Sequence, residues 1–364
     1  MLIMSVKYHQ PHYLPIKLDY GLFARELAEA QYAIGLLQGS QKTLHNALHL
    51  IGPLVAKEAE VSSKIEGTQS TSKDVFVYAA GGKAMHTDTP VVSNYRSAMY
   101  DAIFAIQGRK KITKHLIKSL HSKLLTGVRY KGKLGAFRDG DVWIAEKEGD
   151  PIEKALYIPP EHMHVVSYID NLIEYVDEAD EINLVKAGVI HYQFEAVHPF
   201  EDGNGRIGRL LIPLILYYKG ELSLPIVYSS GYFEARANQY RDALRVVDTT
   251  GHYEPWLKFF LSAIAEQAKE TLVLVDKIRD LNGSLKKKYE NSKSPYILRL
   301  IDLLFESPVI SPPEIMKRLG IPSRMTALRL VEQLQTDRVL LEIGQKGSGG
   351  TTLYAFAELL DIIS

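Results

Sequence analysis

Twelve consecutive residues, HPFEDGNGRIGR from His198 to Arg209, concentrate side chains that can handle a phosphate group. Gly203 and Gly205 lack a Cβ, so the backbone there can approach an anion closely. The helix predicted to start after them presents unpaired N–H groups and partial positive charge. Arg206 and Arg209 lie three residues apart near that helix end, and both can donate to phosphate oxygens. The combination predicts a polyphosphate site.

Two further side chains of this motif supply chemistry. A polyphosphate normally arrives with Mg²⁺, which prefers carboxylate oxygens, and Asp202 lies at the mouth of the loop. The imidazole of His198 suits a general base because histidine titrates near neutral pH. These residue types predict attack of a hydroxyl group on the phosphorus of a nucleotide.

The stretch GNGRIG also fits the GxGxxG pattern of dinucleotide-binding folds. That pattern requires a β-strand directly before the glycines. The preceding segment, EINLVKAGVIHYQFEAV, has helical character, and no alternating strand–helix pattern surrounds it. The sequence therefore disfavours a dinucleotide-binding fold.

The elements that must position the motif are predicted to be mainly helical, because apolar residues recur three and four positions apart. Helices are predicted over most of 19–80 and over 91–107, 112–126, 162–178, 183–196, 205–218, 234–247 and 255–281. Two short β-type runs, VWI and ALYI, flank a polar stretch with Gly149 and Pro151. They predict a small β-hairpin between residues 135 and 160.

A polar segment, NGSLKKKYENSKSP, predicts a linker or a fraying helix end over residues 282–295. Beyond it, three helical patterns and two strands around QKGSGG predict a winged helix-turn-helix. The sequence thus predicts a helical region over 1–90, a catalytic domain over 91–281, the linker, and a C-terminal winged-helix domain over 296–364.

Composition narrows the class of protein. The 364 residues contain 46% hydrophobic and 24% charged residues, with 43 Lys+Arg against 43 Asp+Glu, so no global charge attracts nucleic acid or an anionic membrane. The absence of cysteine excludes disulfides and thiolate chemistry. The longest apolar run, LLIPLILYY, is about half a membrane span. We expect a cytoplasmic protein without membrane association.

The motif resembles the signature of Fic domains, HPFx[D/E]GNGRxxR, at every specified position. The resemblance extends over most of the chain and implies a Fic-type helical core with a β-hairpin flap. It implies transfer of AMP from ATP, with Mg²⁺, to a hydroxyl side chain (Ser, Thr or Tyr) of a target protein or of the enzyme itself.

The resemblance also implies residue roles. His198 takes the proton of the target hydroxyl, and Asp202 holds Mg²⁺ on the α- and β-phosphates. The backbone of Gly203–Asn204–Gly205 forms the anion nest. Arg206 binds the β-phosphate and Arg209 the γ-phosphate. The segment YFEARANQYRDAL resembles the part of Fic proteins that closes the nucleotide pocket, which assigns Tyr240 to the adenine site.

Regulation and target docking follow from two further resemblances. SSKIEGTQST resembles the inhibitory motif [S/T]xxxE[G/N], here Ser62, Glu66 and Gly67. It implies that Glu66 pairs with Arg209 and so competes with the γ-phosphate; four residues apart on a helix, Ser62 and Glu66 would share a face. The flap would align the target by strand addition, through Val142, Trp143, Ile144, Leu156, Tyr157 and Ile158.

Several alternatives remain open at this point. A Doc-type kinase is disfavoured because such proteins carry lysine where this chain has Gly205. Removal of AMP, or transfer of another nucleotide such as UMP, stays compatible with the motif. The stretch EHMH at 161–164 is interpreted as a surface helix rather than a metal site.

A DNA-binding regulator is the alternative from a different class. The winged-helix pattern and Arg324 and Arg329 on its presumed recognition helix favour it. However, residues 296–364 contain seven Lys/Arg against eight Asp/Glu, and DNA affinity depends largely on neutralising phosphates. Contact with protein, either homodimerisation or target capture, fits this domain at least as well.

Overall fold

The computed structural model describes residues 7–41, 48–107, 111–130, 132–147, 149–345 and 350–364. The helices are α1 (Ala24–Gln41), α2 (Leu48–Ile65), α3 (Ser72–Ala79), α4 (Thr89–Ile106), α5 (Lys114–Leu125), α6 (Val165–Glu178), α7 (Asn183–Val197), α8 (Asn204–Tyr218), α9 (Ser230–Ala235), α10 (Ala237–Thr250), α11 (Glu254–Tyr289), α12 (Ile297–Glu306), α13 (Pro312–Leu319), α14 (Arg324–Thr336) and α15 (Ala357–Ile363). The strands are β1 (Ile144–Ala145), β2 (Ala155–Tyr157), β3 (Val309–Ile310), β4 (Leu340–Gln345) and β5 (Thr352–Phe356). The predicted mainly α class with a small hairpin is confirmed.

The chain divides into two compact units. The first comprises Met1–Gly35 and Ser97–Gln267, and the second comprises Leu36–Arg96 and Ala268–Ser364. The sequence predicted domains that follow one another along the chain. The observed second unit instead combines a segment near the N-terminus with the C-terminal segment. In the described residues no helix is long and apolar enough to cross a bilayer.

The first unit is built around α7. This helix is buried on nearly all sides and packs between α6 and α8, while α5 packs on both α6 and α8. A helix that is apolar all round belongs in the centre of a fold, and the absence of an amphipathic stripe in α7 agrees with this position. The flap hairpin pairs β1 with β2 in antiparallel fashion, with Ile144 opposite Tyr157.

The second unit packs α2 and α3 against the C-terminal elements. Helix α2 contacts α12 and α15, and α3 contacts α15 and β3. The approach of α2 to α12 is close: a Cβ on Gly52 would lie 2.9 Å from the carbonyl oxygen of Glu306. This contact requires a residue without a side chain at position 52, and it explains why the N-terminal segment groups with the C-terminal domain.

The C-terminal domain contains more than the sequence predicted. Its three helices are joined by a three-stranded antiparallel sheet in the order β3-β5-β4, so a short strand and the final helix α15 were missed. The tip of the predicted wing, residues 346–349, lies outside the described residues. The predicted linker is helical as far as Tyr289, because Leu281, Leu285 and Tyr289 recur every four residues and are buried.

Candidate active site

The central part of the HPFEDGNGRIGR motif forms the loop between α7 and α8 in the first unit. His198 follows the last residue of α7 with φ 47° and ψ 63°, a left-handed conformation that residues other than glycine rarely adopt. Gly203 precedes α8 with φ 82°. The two left-handed positions turn the chain sharply, so the imidazole and the start of α8 belong to one compact loop.

The interior of the loop is held by Asn204 and Phe200. The side chain of Asn204 accepts a hydrogen bond from the Phe200 N–H and donates one to the Phe200 carbonyl, both at 2.8 Å. Phe200 is fully buried, as expected for a core anchor without chemistry. Asn204 is also buried, so its amide group fixes the loop while its backbone remains part of the predicted anion nest.

A histidine that the sequence analysis did not single out supports this loop from α5. The ring of His121 stacks on that of Phe200, with centroids 4.0 Å apart. Its Nδ1 accepts from the Gly135 N–H at 2.9 Å, so Nε2 carries the proton and donates to the Asp202 carbonyl at 3.2 Å. Burial lowers the pKa of His121 to about 4, which keeps the ring neutral at pH 7 and this hydrogen-bond pattern intact.

We expect His121→Phe to lower the turnover number on the order of tenfold and to keep the stacking on Phe200. Phenylalanine can replace the ring contact but neither hydrogen bond, each of which contributes about 0.5–1.5 kcal/mol. Steady-state kinetics and a melting curve would measure both effects. His115→Phe is the control, because His115 lies exposed on the same helix; an equal loss in both variants would contradict a role for His121 in holding the loop.

The second unpredicted residue is Arg138, which precedes the flap. Its Nε donates to the His198 carbonyl at 2.9 Å, and its own N–H donates to the Pro199 carbonyl at 2.9 Å. Its terminal nitrogens donate to the carbonyls of Gly140, Pro160 and Val197. The stretch GAFRDGDVWI placed Arg138 at the approach to the flap but predicted no role for it, because its partners are backbone carbonyls, which carry no side-chain signature.

Charged residues of the motif lie at or near the start of α8. Asp202 is exposed, and its Oδ1 accepts from the Gly203 N–H and from Arg206 at 3.0 Å. Arg206 and Arg209 are both buried. In the described part of the chain the Nε of Arg206 has no hydrogen-bond partner. A buried guanidinium donor beside a helix N-terminus is suited to bind an anion.

The flap lies beside the end of α7. The Tyr157 hydroxyl donates to the Ala196 carbonyl at 2.7 Å, two residues before His198. The side chains of Trp143, Ile144 and Leu156 are exposed. The carbonyl of Ile158 accepts from the His9 N–H at 2.8 Å. Of the predicted docking residues, Ile144, Leu156 and Tyr157 thus lie in the strands of the hairpin, and Val142, Trp143 and Ile158 lie directly beside them. The Tyr157 bond ties this hairpin to the end of α7.

A cavity of about 280 Å³ opens between the flap, the end of α7 and α10. Apolar side chains and the charged side chains of α7 and α10 share its walls. Its lining residues are Ile144, Leu156, Tyr157, Tyr192, Glu195, Ala196, Arg241, Asp242, Leu244, Arg245 and Asp248. Burial raises the pKa of Asp248 to about 6, and the Tyr192 hydroxyl donates to this carboxylate at 2.8 Å.

Tyr240 does not line that cavity. Its ring stacks on Phe233 with centroids 4.4 Å apart, and its hydroxyl lies 2.7 Å from Nε2 of the buried His191. It is 6% exposed. The structure therefore places Tyr240 in an aromatic core cluster, whereas the neighbouring residues Arg241 and Leu244 line the cavity, because successive helical positions point in different directions.

The residues assigned to inhibition lie in the second unit. Helix α2 ends at Ile65, and Gly67, with φ 88°, closes its C-terminus. Ser62 is fully buried within α2, whereas Glu66 lies in the exposed turn after it. Ser62 therefore lies in α2, and Glu66 lies in the turn that closes it, where the Glu66 N–H donates to the Ser63 carbonyl at 2.9 Å.

The EHMH stretch forms a short 3₁₀ turn, His162–His164, at the surface. This differs slightly from the surface helix expected, since α6 begins only at Val165. Among the described residues, no group of three or more His, Asp or Glu side chains could hold a metal ion.

Comparisons with known proteins agree on one family. The model of the Fic/DOC family matches residues 111–216, and that of the Fic/DOC family N-terminal region matches residues 24–104. A probable protein adenylyltransferase of Aquifex aeolicus, aq_aa38, is 34% identical over 95 residues, which are 26% of this chain and 30% of that protein. Protein adenylyltransferase fic-1 of Caenorhabditis elegans is 28% identical over 28% of this chain and 20% of that protein. The chain thus spans less than a third of either relative.

Solved structures of low sequence identity share the fold. A Fic family protein from Desulfovibrio desulfuricans G20 superposes with a TM-score of 0.60 at 21% identity, covering 96% of this chain and 98% of that one. Fic-1 from C. elegans superposes with a TM-score of 0.52 at 16% identity, covering 70% of this chain and 73% of that one. The two family models together cover just over half of the sequence, and the chain belongs to the Fic/DOC family.

Proposed function

We propose that the protein transfers AMP from ATP to a hydroxyl side chain of a protein. The observation that carries this proposal is the α7–α8 loop, which joins His198 at one end to Asp202, Arg206 and the N-terminus of α8 at the other. A base and an anion site within one rigid loop suit attack on a phosphorus atom. The relatives that are named protein adenylyltransferases support the same reaction.

In the proposed reaction His198 accepts the proton of the target hydroxyl as its oxygen attacks the α-phosphorus. The bond from that phosphorus to the bridging oxygen of the β-phosphate breaks, and pyrophosphate leaves. Arg206 and Arg209 bind the β- and γ-phosphates, and the N–H groups at the start of α8 contribute donors. The product is a phosphodiester between AMP and the target side chain.

The cavity beside the flap is our candidate for the nucleoside. Its apolar wall, with Ile144, Leu156 and Leu244, suits the faces of a flat base. It also adjoins Ala196, two residues from His198, so a nucleoside there would place its phosphates toward the catalytic loop. The flap would then have two roles, since one side closes the cavity and its exposed edge receives the target by strand addition.

Mg²⁺ fits the residues at Asp202 as an ion shared with the nucleotide. A single exposed carboxylate beside an anion site matches the preference of Mg²⁺ for one or two carboxylates together with phosphates and water. When bound there, the ion would neutralise phosphate charge. This chain would contribute the carboxylate of Asp202 and orient it through the hydrogen bonds from Gly203 and Arg206.

We expect Asp202→Ala to remove most of the activity and to flatten its dependence on Mg²⁺, because the triphosphate then lacks the carboxylate that anchors its cation. Titration of Mg²⁺ against initial rate measures this. Glu201→Ala is the matched control, since Glu201 is the exposed neighbouring carboxylate. A wild-type Mg²⁺ response in Asp202→Ala would place the cation on another residue.

Inhibition by Glu66 is part of the proposal. Its support is the match of Ser62, Glu66 and Gly67 to the inhibitory motif, and the exposed position of Glu66 directly after α2. A carboxylate there would compete with the γ-phosphate for Arg209. Packing of α2 against α12 and α15 would give this segment a fixed position within the second unit.

DNA binding by the C-terminal domain is a second candidate, and we propose that its fold is a winged helix-turn-helix. Arg324 and Arg329 are both exposed on α14, the helix that would enter the major groove. The small excess of acidic residues in this domain opposes strong binding. A gel-shift titration with DNA at two salt concentrations tests this second candidate, because a salt-sensitive shift is expected only of a DNA-binding domain.

A further inference from the structure

Arg138 occupies an unusual electrostatic position for a buried cation. It is 5% exposed, and in the described parts of the chain no carboxylate lies within ion-pair distance of its guanidinium. Five backbone carbonyls surround it instead, four of them bound by the side chain and one by its own N–H. Burial lowers the pKa of Arg138, and the charge of Asp141, which makes no direct ion pair with the guanidinium, raises this pKa in part. A buried charge is costly unless its hydrogen bonds are satisfied, and the five carbonyls supply those hydrogen bonds to Arg138.

The carbonyls belong to two parts of the active site. Those of Val197, His198 and Pro199 are at the turn that presents the imidazole. Those of Gly140 and Pro160 flank the flap strands on either side. One planar guanidinium therefore joins the two roots of the hairpin to the main chain of His198.

His198 needs such a support because of its backbone conformation. A left-handed residue with a Cβ is less stable than the right-handed form, and relaxation would swing the imidazole away from the loop. Nε of Arg138 binds the carbonyl of that same residue at 2.9 Å. The bond opposes rotation of the peptide unit that follows His198.

We propose that Arg138 is a positioning residue that fixes the imidazole of His198 relative to the flap. The inference rests on the proposed transfer reaction and adds a residue that orients both the base and the target-docking hairpin. Lysine cannot replace it, since an ammonium group lacks the planar fork of donors that reaches several carbonyls in fixed directions.

The test compares Arg138→Lys and Arg138→Ala with the full-length wild type. We expect the turnover number to fall on the order of a hundredfold in both variants, as for displacement of a catalytic group by about 1 Å. The KM for ATP should rise by a smaller factor than the turnover number falls, because the loosened flap borders the proposed nucleoside cavity while the phosphate ligands on α8 are untouched. Added guanidinium should restore part of the turnover of Arg138→Ala without affecting Arg138→Lys. Arg236→Ala is the control, because Arg236 pairs with Glu266 at 3.1 Å outside the loop.

Hydrogen–deuterium exchange provides a readout that does not require activity. In Arg138→Lys, exchange should rise together in peptides spanning residues 140–160 and 196–203, and stay unchanged in α6. Wild-type turnover in Arg138→Lys, wild-type exchange in both peptides, or loss of ATP binding equal to the loss of turnover would overturn the proposal. A wild type that transfers no AMP, with the coupled rise in exchange still present, would instead refute the proposed function.

Discussion

Replacing His198 by alanine should lower AMP transfer by about 10²–10⁴-fold, the usual contribution of a general base. The fold should survive, because Arg138 and the loop bind the main chain of His198. ATP binding should also survive, since Arg206, Arg209 and Asp202 remain. Transfer rates, calorimetric titration with ATP and a melting curve measure the three expectations on one preparation.

Two further variants make the comparison specific. His198→Asn tolerates the left-handed conformation better than alanine and should be equally inactive, which separates loss of the base from strain in the loop. His164→Ala removes an exposed histidine of the 3₁₀ turn and should transfer at the wild-type rate. If His198→Asn modified protein as fast as the wild type, the base would have to be another group.

Replacing Glu66 by glycine should raise the rate of transfer roughly ten- to a hundredfold. The proposed pair of Glu66 with Arg209 occupies the guanidinium that the γ-phosphate requires. A hydrogen bond to a charged group contributes roughly 1.5–3 kcal/mol, and each 1.4 kcal/mol corresponds to about a tenfold change. Incorporation of AMP into the enzyme itself and into a cell lysate measures the gain.

The competing explanation is that glycine merely loosens the end of α2. Glu66→Gln keeps the size of the side chain without its charge and should also activate, whereas Lys64→Gly loosens the same turn and should not. Glu66→Asp should activate less than glycine, because a shorter carboxylate still reaches weakly. Arg209→Ala should stay inactive, since it removes a phosphate ligand along with the inhibitory partner. No gain in Glu66→Gly, with His198-dependent transfer detectable, would return Glu66 to the role of a surface residue.

The sequence predicted the parts of the fold that depend on local patterns. Apart from α7, which is buried on nearly all sides, the helices around the motif follow from apolar periodicity, and the flap follows from two β-type runs around Gly149 and Pro151. The end of α11 was missed because the polar composition of residues 282–289 hid the four-residue spacing of Leu281, Leu285 and Tyr289. That spacing is visible in the sequence and would have extended the helix.

The supporting residues of the site could not be found in the same way. His121 and Arg138 lie at least 60 residues before the motif in the chain, and only packing of α5 and the flap against the α7–α8 loop brings them to it. Their partners are backbone groups of Asp202, Gly135 and His198. A hydrogen bond to a backbone group constrains the residue that supplies the side chain but not the residue that supplies the backbone group. The sequence therefore contains no matching pair of residue types that would reveal the contact.

For Tyr240 the resemblance located the segment of the chain but not the direction of the side chain. Its segment resembles one that closes a nucleotide pocket, but the direction of each side chain on α10 depends on the helical phase and on the aromatic cluster. The ring of Tyr240 packs on Phe233, while Arg241 and Leu244 line the cavity. A resemblance located the segment, and only the packing of α10 decided which of its residues face the cavity.

The most direct test of the central claim is the position of the phosphorus that is transferred. Glu66→Gly enzyme is incubated with a protein lysate and with ATP that carries a radioactive label on either the α- or the γ-phosphate, with the Glu66→Gly, His198→Ala double variant as control. The proposed reaction predicts labelling from α-labelled ATP that is lost in the double variant, whereas labelling from γ-labelled ATP by kinases of the lysate is the same with both enzymes. Labelling from γ-labelled ATP that is lost in the double variant would identify a kinase, and α-labelling that persists without His198 would contradict the proposed mechanism.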